Sequence, residues 1–186
     1  MLLTGLLQRT KLSQVFQRSN VTGRLRLPLN FLLQHCMGMT KIIEYQSRHI
    51  KGYNGKKVLI NIDFLPAIQI IDDECKAQGF IFWVTNSFRK DADILSGTVV
   101  TPANMSNHKV GHALDGNLQH IKTGEWFNSV KMGDGKGIDE KLIQAIIDKG
   151  VRYGGNFRKA DNVHFDDASN VKNPDVWKEK YRVLQG

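Results

Sequence analysis

Two short stretches of this chain hold the residue types that bind a metal ion and put it to work. Residues 106–115 read Ser-Asn-His-Lys-Val-Gly-His-Ala-Leu-Asp, and residues 161–166 read Asp-Asn-Val-His-Phe-Asp. Two histidines and a carboxylate make a three-ligand zinc set that leaves the fourth tetrahedral position open for water. A further carboxylate, Asp161, stands three residues before His164, where a general base would lie beside that water. Ligands plus a base are the parts that metal-assisted hydrolysis requires. His35, His49 and His120 have no such company and read as ordinary hydrogen-bonded or surface histidines.

The first stretch fits the pattern S-x-H-x-x-G-x-A-x-D at Ser106, His108, Gly111, Ala113 and Asp115, and the second fits D-x-x-H-F-[D/E]. In these motifs, and over roughly residues 60–170, the chain resembles the zinc D,D-carboxypeptidases and L-alanyl-D-glutamate endopeptidases. Members of that family cut the peptide stems of bacterial cell walls. The resemblance implies one zinc ion per chain on His108, Asp115 and His164, with Asp161 as catalytic base. It also implies a role for Arg89, which closes Thr85-Asn86-Ser87-Phe88-Arg89 where the family ends a strand in a G-[YF]-R-like turn. An arginine there offers a planar donor pair to a substrate carboxylate or to the oxyanion of the tetrahedral intermediate. Ser106, two residues before His108, either hydrogen-bonds substrate or shapes the loop. Asp166 follows His164 by two residues on the same strand face, placed to orient the ligand ring, although the family usually has glutamate there. Aspartate rather than glutamate at 161 resembles the endopeptidase branch. The family's Gly-Gly-Asp-Trp is here Gly155-Asn156-Phe157, a departure that bears on substrate fit and leaves the metal set intact.

The elements that must position these residues follow from periodicity. Apolar residues at 64, 65, 67, 68, 70, 71 and 75 predict a helix over residues 64–78, closed by Gly79. Residues 80–85, rich in β-formers, predict a buried strand, with Arg89 on the loop just past its end. Residues 91–107 read as loop apart from a short apolar piece at Ile94, Leu95, Val99 and Val100. Residues 111–118 alternate, with Gly111, Ala113 and Asp115 on one strand face and His112 and Leu114 on the other. His112 is therefore read as structural. A glycine-rich loop at 133–137 precedes an amphipathic helix over 138–149 (Ile138, Leu142, Ala145, Ile146), ended by Gly150. Residues 163–165 predict a short strand, residues 174–184 a closing helix, and residues 45–61 a polar stretch with turns at Gly52 and Gly55. Helices and short strands in mixed order predict an α+β domain, a small central antiparallel sheet flanked by helices around a single zinc site.

The chain has 186 residues and a formal net charge of +8, which invites a nucleic-acid reading. The distribution argues against it. Residues 1–43 carry six basic residues and no acid, leaving 20 basic against 18 acidic residues in the remainder. The organisation expected is a basic leader over 1–43 and a zinc peptidase domain over 44–186, with no nucleic-acid partner and no membrane span. An Arg-rich, acid-poor start resembles an organelle transit peptide; a start at Met39 is the alternative, which would suit a cytoplasmic product or one released by lysis. Cys36 and Cys75, with no C-x-x-C, do not support a disulfide framework. A monomer acting on peptidoglycan peptides is expected. Two other classes compete. A non-catalytic zinc-containing module that binds cell-wall peptide would have little need of Asp161. Iron oxygenases also use two histidines and a carboxylate, but they space the first histidine and the carboxylate two apart, against seven for His108 and Asp115.

Overall fold

The computed structural model describes residues 40–93 and 104–186. The basic leader up to residue 39, with His35 and Cys36, and the apolar piece at residues 94–100 lie outside the described residues. Three strands of three residues each open the fold: β1 (Ile42–Glu44), β2 (Ile50–Gly52) and β3 (Leu59–Asn61). β1 and β3 form their own antiparallel pair. Elements this short give no alternation to read, so the polar stretch at 45–61 concealed two of them. β1 also starts two residues before the domain boundary expected at 44.

Helix α1 (Leu65–Gln78) follows a turn of 3₁₀ helix, with Pro66 in its first turn and Gly79 at its end at φ 75°, the left-handed conformation that stops a helix. Strand β4 (Phe80–Asn86) comes next, then β5 (Ala113–His120), β6 (Trp126–Phe127), helix α2 (Asp139–Asp148), β7 (Arg152–Tyr153), β8 (His164–Asp166) and helices α3 (Ser169–Lys172) and α4 (Pro174–Gln185). The main sheet runs β2-β4-β5-β8-β7, with β6 on the far end of β5. Every pair in it is antiparallel except β2–β4. That pair is parallel because the chain between them crosses over through α1. The fold is thus the expected α+β arrangement of a sheet flanked by helices.

One face of the sheet builds the core. Phe80, Phe82 and Val84 of β4, Leu114 and Leu118 of β5, and Phe165 of β8 are buried against Ile68, Ile71 and Cys75 of α1 and Leu142, Ile143 and Ile146 of α2. Alternation then sends Ile81, Trp83 and Thr85, together with Asp115, Asn117 and Gln119, to the second face. Helix α2 begins at Asp139, one residue later than its periodicity predicts. Ile138 is exposed rather than on the apolar face, because the backbone N–H groups of Gly133 and Gly135 bond the Asp139 and Glu140 carboxylates at 3.0 and 2.6 Å and fix where the helix begins. Among the described residues no helix is long and apolar enough to cross a membrane.

Candidate metal centre

Strand pairing assembles the site. Asp115 on β5 stands opposite His164 on β8 and beside Asn86 at the end of β4. His108 arrives from a 3₁₀ turn, Asn107–Val110, that closes on Gly111 at φ 72°. A side chain at 111 would require strain there, and its Cβ would stand 2.6 Å from the backbone nitrogen of Asn61. The outcome is convergence: His108 Nε2 lies 3.0 Å from Asp115 Oδ1, His164 Nδ1 lies 2.9 Å from the same oxygen, and the two ring nitrogens are 3.2 Å apart.

The protons of this cluster decide what it can hold. His108 Nδ1 donates to the Ser87 carbonyl at 2.8 Å, and His164 Nε2 donates to Asp166 Oδ2 at 2.9 Å. Each ring therefore turns its other nitrogen, the one able to carry a lone pair, toward Asp115. Three ligand atoms facing one another across about 3 Å suit an ion with bonds of about 2 Å, since the edge of such a tetrahedron is about 3.3 Å. Burial pushes the Asp115 carboxyl up, but the His108 and His164 rings outweigh it and hold it well below the usual carboxylate range. Burial pulls His164 down, yet its hydrogen bonds to Asp115 and Asp166 win and lift it to about 9. Asp166 is itself buried, which pushes it up; the bonds from His164 and Arg152 overcome this and hold it low.

Around the three ligands the structure places the other residues singled out from the sequence. Asp161 is tied by its backbone, donating to the Gly154 carbonyl at 2.9 Å and accepting from the His164 N–H at 3.1 Å. Burial and the Asp115 charge push its carboxyl up, with His164 drawing it partly back. Gly154 lets this loop close, because a Cβ there would sit 2.7 Å from that of His164 and press into the Asp161 carbonyl. Arg89 is 7% exposed and donates from Nη2 to Ser106 Oγ at 3.1 Å. Its backbone N–H meets the His108 carbonyl at 3.2 Å. Burial lowers its pKa against the opposing pull of Asp115, Asp91 and Asp93. Phe157 packs on His164 at 5.6 Å between ring centroids and lies under the Arg152 guanidinium at 4.9 Å.

His112 is not in the cluster. It bonds Asp167 at 2.6 Å and Lys180 at 3.0 Å, and Lys180 pairs with Asp63 at 2.7 Å, so it serves as a buried strut to helix α4. His49 Nδ1 meets the Phe80 carbonyl, and His120 bonds Thr123 and packs on the Phe80 ring. Three residues of the site escaped the sequence reading. Arg152 grips Asp166 with two bonds of 2.7 and 2.6 Å, Asn86 donates to Asp115 Oδ2 at 3.2 Å, and Gln185 bonds the carbonyls of Arg89 and Lys109 at 3.0 and 2.6 Å. Each is set by strand register or helix docking across many residues, which no local motif encodes.

Residues 100–167 match the family model described as D-alanyl-D-alanine carboxypeptidase. The match supports the family to which the two motifs point, and it spans all three candidate ligand residues and Asp161. Comparison with curated proteins gives no match. The family carries a peptidase activity, and the His108, Asp115 and His164 group is one that could bind its metal ion.

Proposed function

We propose that this protein is a zinc peptidase that hydrolyses the stem peptides of peptidoglycan, with His108, Asp115 and His164 as the zinc ligands. The observation that carries the reading is the convergence of three ligand atoms within 3.2 Å while the outer N–H of each ring is tied to Ser87 or Asp166. Bound there, zinc would acidify water and polarise the scissile carbonyl. The rest falls to the chain. Asp161 takes a proton from the attacking water as its oxygen adds to the carbonyl carbon, then passes that proton to the nitrogen as the C–N bond breaks. Water and a peptide bond thus become a carboxylic acid and an amine, and the acid's proton then passes to the amine to leave a carboxylate and an ammonium. A carboxyl raised by burial and by Asp115 suits both halves of this exchange, because its proton affinity lies nearer neutrality. Arg89, held by Ser106 and by the backbone of the His108 turn, presents its guanidinium to a substrate carboxylate.

The experiment has two parts. Elemental mass spectrometry should find about one zinc per chain, lost in His108→Ala. Digestion of muropeptides should then show one bond cut by the wild type, with the rate reduced about 10²–10⁴-fold in Asp161→Ala while zinc is retained. Unchanged hydrolysis in Asp161→Ala would remove the base from the mechanism. Zinc without hydrolysis would favour a cell-wall-peptide binding module.

A further inference from the structure

The second face of the sheet carries more than a metal ligand. Asp115, Asn117 and Gln119 share it along β5, successive members about 7 Å apart. Trp83 stands opposite Asn117 on β4, and Trp126 stands opposite Gln119 on β6. The two indoles stack at 5.9 Å between centroids and 26° between planes, and Trp83 Nε1 donates to Gln119 Oε1 at 3.0 Å. Tyr53, just past β2, meets Trp126 edge-on at 6.4 Å. The Lys51 ammonium lies 5.6 Å over the Trp83 ring. Even so packed, Trp126 and Tyr53 remain 39% and 38% exposed. Clustered aromatic surface left in water beside a candidate reaction centre is where ligands bind.

We propose that this patch binds the N-acetylmuramyl sugar that carries the stem peptide, and so selects the L-alanyl-D-glutamate bond; the proposal rests on the peptidase reading above. The chemistry matches: a sugar ring has C–H-rich surface for indole and phenol faces, and a polar rim for Lys51, Asn117 and Gln119. The distances match as well. The patch begins one row from Asp115, about 7 Å, and extends to a second row at about 14 Å. In peptidoglycan the first L-alanine is joined directly to the lactyl arm of the sugar. A bond cut after that alanine is one residue, about 3.5 Å of extended chain, from the arm, whereas a terminal D-Ala-D-Ala bond is four residues, about 14 Å, from it. With the arm added, only the first case puts the ring on the near edge of the patch. The direction agrees too. Arg89 lies past the opposite end of β4, so a substrate with a carboxylate toward Arg89 points its N-terminal sugar at Trp83 and Trp126.

The test is binding of N-acetylmuramyl-L-alanine against N-acetyl-L-alanine to the full zinc-loaded chain, read by tryptophan fluorescence and calorimetry. The muramyl compound should bind at least about tenfold more tightly, and Trp126→Ala or Tyr53→Ala should each erase about that factor. Both side chains are partly exposed, and circular dichroism checks that the variants fold. Equal affinity for the two compounds, or variants that bind like the wild type, would overturn the proposal. So would sedimentation showing self-association through the patch, abolished by Trp126→Ala, with no preference for the sugar. Failure of the peptidase reading looks different: sugar binding persists, and neither muramyl nor acetyl L-alanyl-D-isoglutamine is cut.

Discussion

The proton on His164 gives the sharpest test of the metal centre. Two carboxylates, Asp115 and Asp166, lift this ring to about 9, so at neutral pH it holds a proton that a metal ion must displace. The consequence is a steep pH dependence of affinity. Between pH 8 and pH 6 zinc affinity should fall about 90-fold if the ring titrates near 9, and only about fourfold if it titrates at an ordinary 6.5. Competition against a chromophoric chelator at half-unit intervals measures the slope, and calorimetry in buffers of different ionisation enthalpy counts the proton released. A fourfold change, or no proton released at pH 7, would refute the argument. Stability should follow the same ring. Its folded value lies above the unfolded one, so in metal-free protein its contribution is fully present below about 6.5 and lost as pH rises through about 9. Asp115 and Asp166 lie below their unfolded value of 3.8, so their contribution is present above it and lost as pH falls. The increment that zinc adds to the melting temperature should therefore grow from pH 6 to pH 8.

Other perturbations probe the supports. Arg152→Ala leaves the Asp166 carboxylate, 1% exposed, without its bidentate partner, and should cost about 3–5 kcal/mol in urea denaturation. It should also lower zinc affinity by about tenfold or more, measured with the same chelator. Gly154→Ala forces a Cβ against Asp161 and His164; about 1–3 kcal/mol of destabilisation and a loss of hydrolysis exceeding any loss of bound zinc are expected. Gln185→Ala removes the bonds that tie the Arg89 loop to the His108 turn. It should raise KM by about tenfold with zinc content unchanged, and a KM equal to wild type would show that Arg89 needs no such clasp.

What the sequence determined by itself is the family resemblance and most of the scaffold. The spacing of His108, Asp115, Asp161 and His164 points to a metal peptidase because the candidate ligands and base form two local signatures, each written within ten residues. The helix ending at Gly79 and strand β4 were legible for a related reason: a helical period or a run of β-formers is written in neighbouring residues. The strand expected from Gly111 begins only at Ala113, because Gly111 closes a turn in the left-handed region, and the contacts of His112 to Asp167 and Lys180 come from the fold. Tertiary structure decided the rest. Only strand pairing brings Arg152 to Asp166 and Asn86 to Asp115, and only the docking of α4 brings Gln185 to Arg89. The three-residue strands β1 to β3 are held by partners in the fold rather than by any pattern of their own. The pairing of half-buried Trp83 with exposed Trp126 is of the same kind, since it exists because β5 carries a different neighbour on each edge. Hydrogen-bond register sets contacts between residues far apart in the chain, and a sequence read along its length does not contain that register.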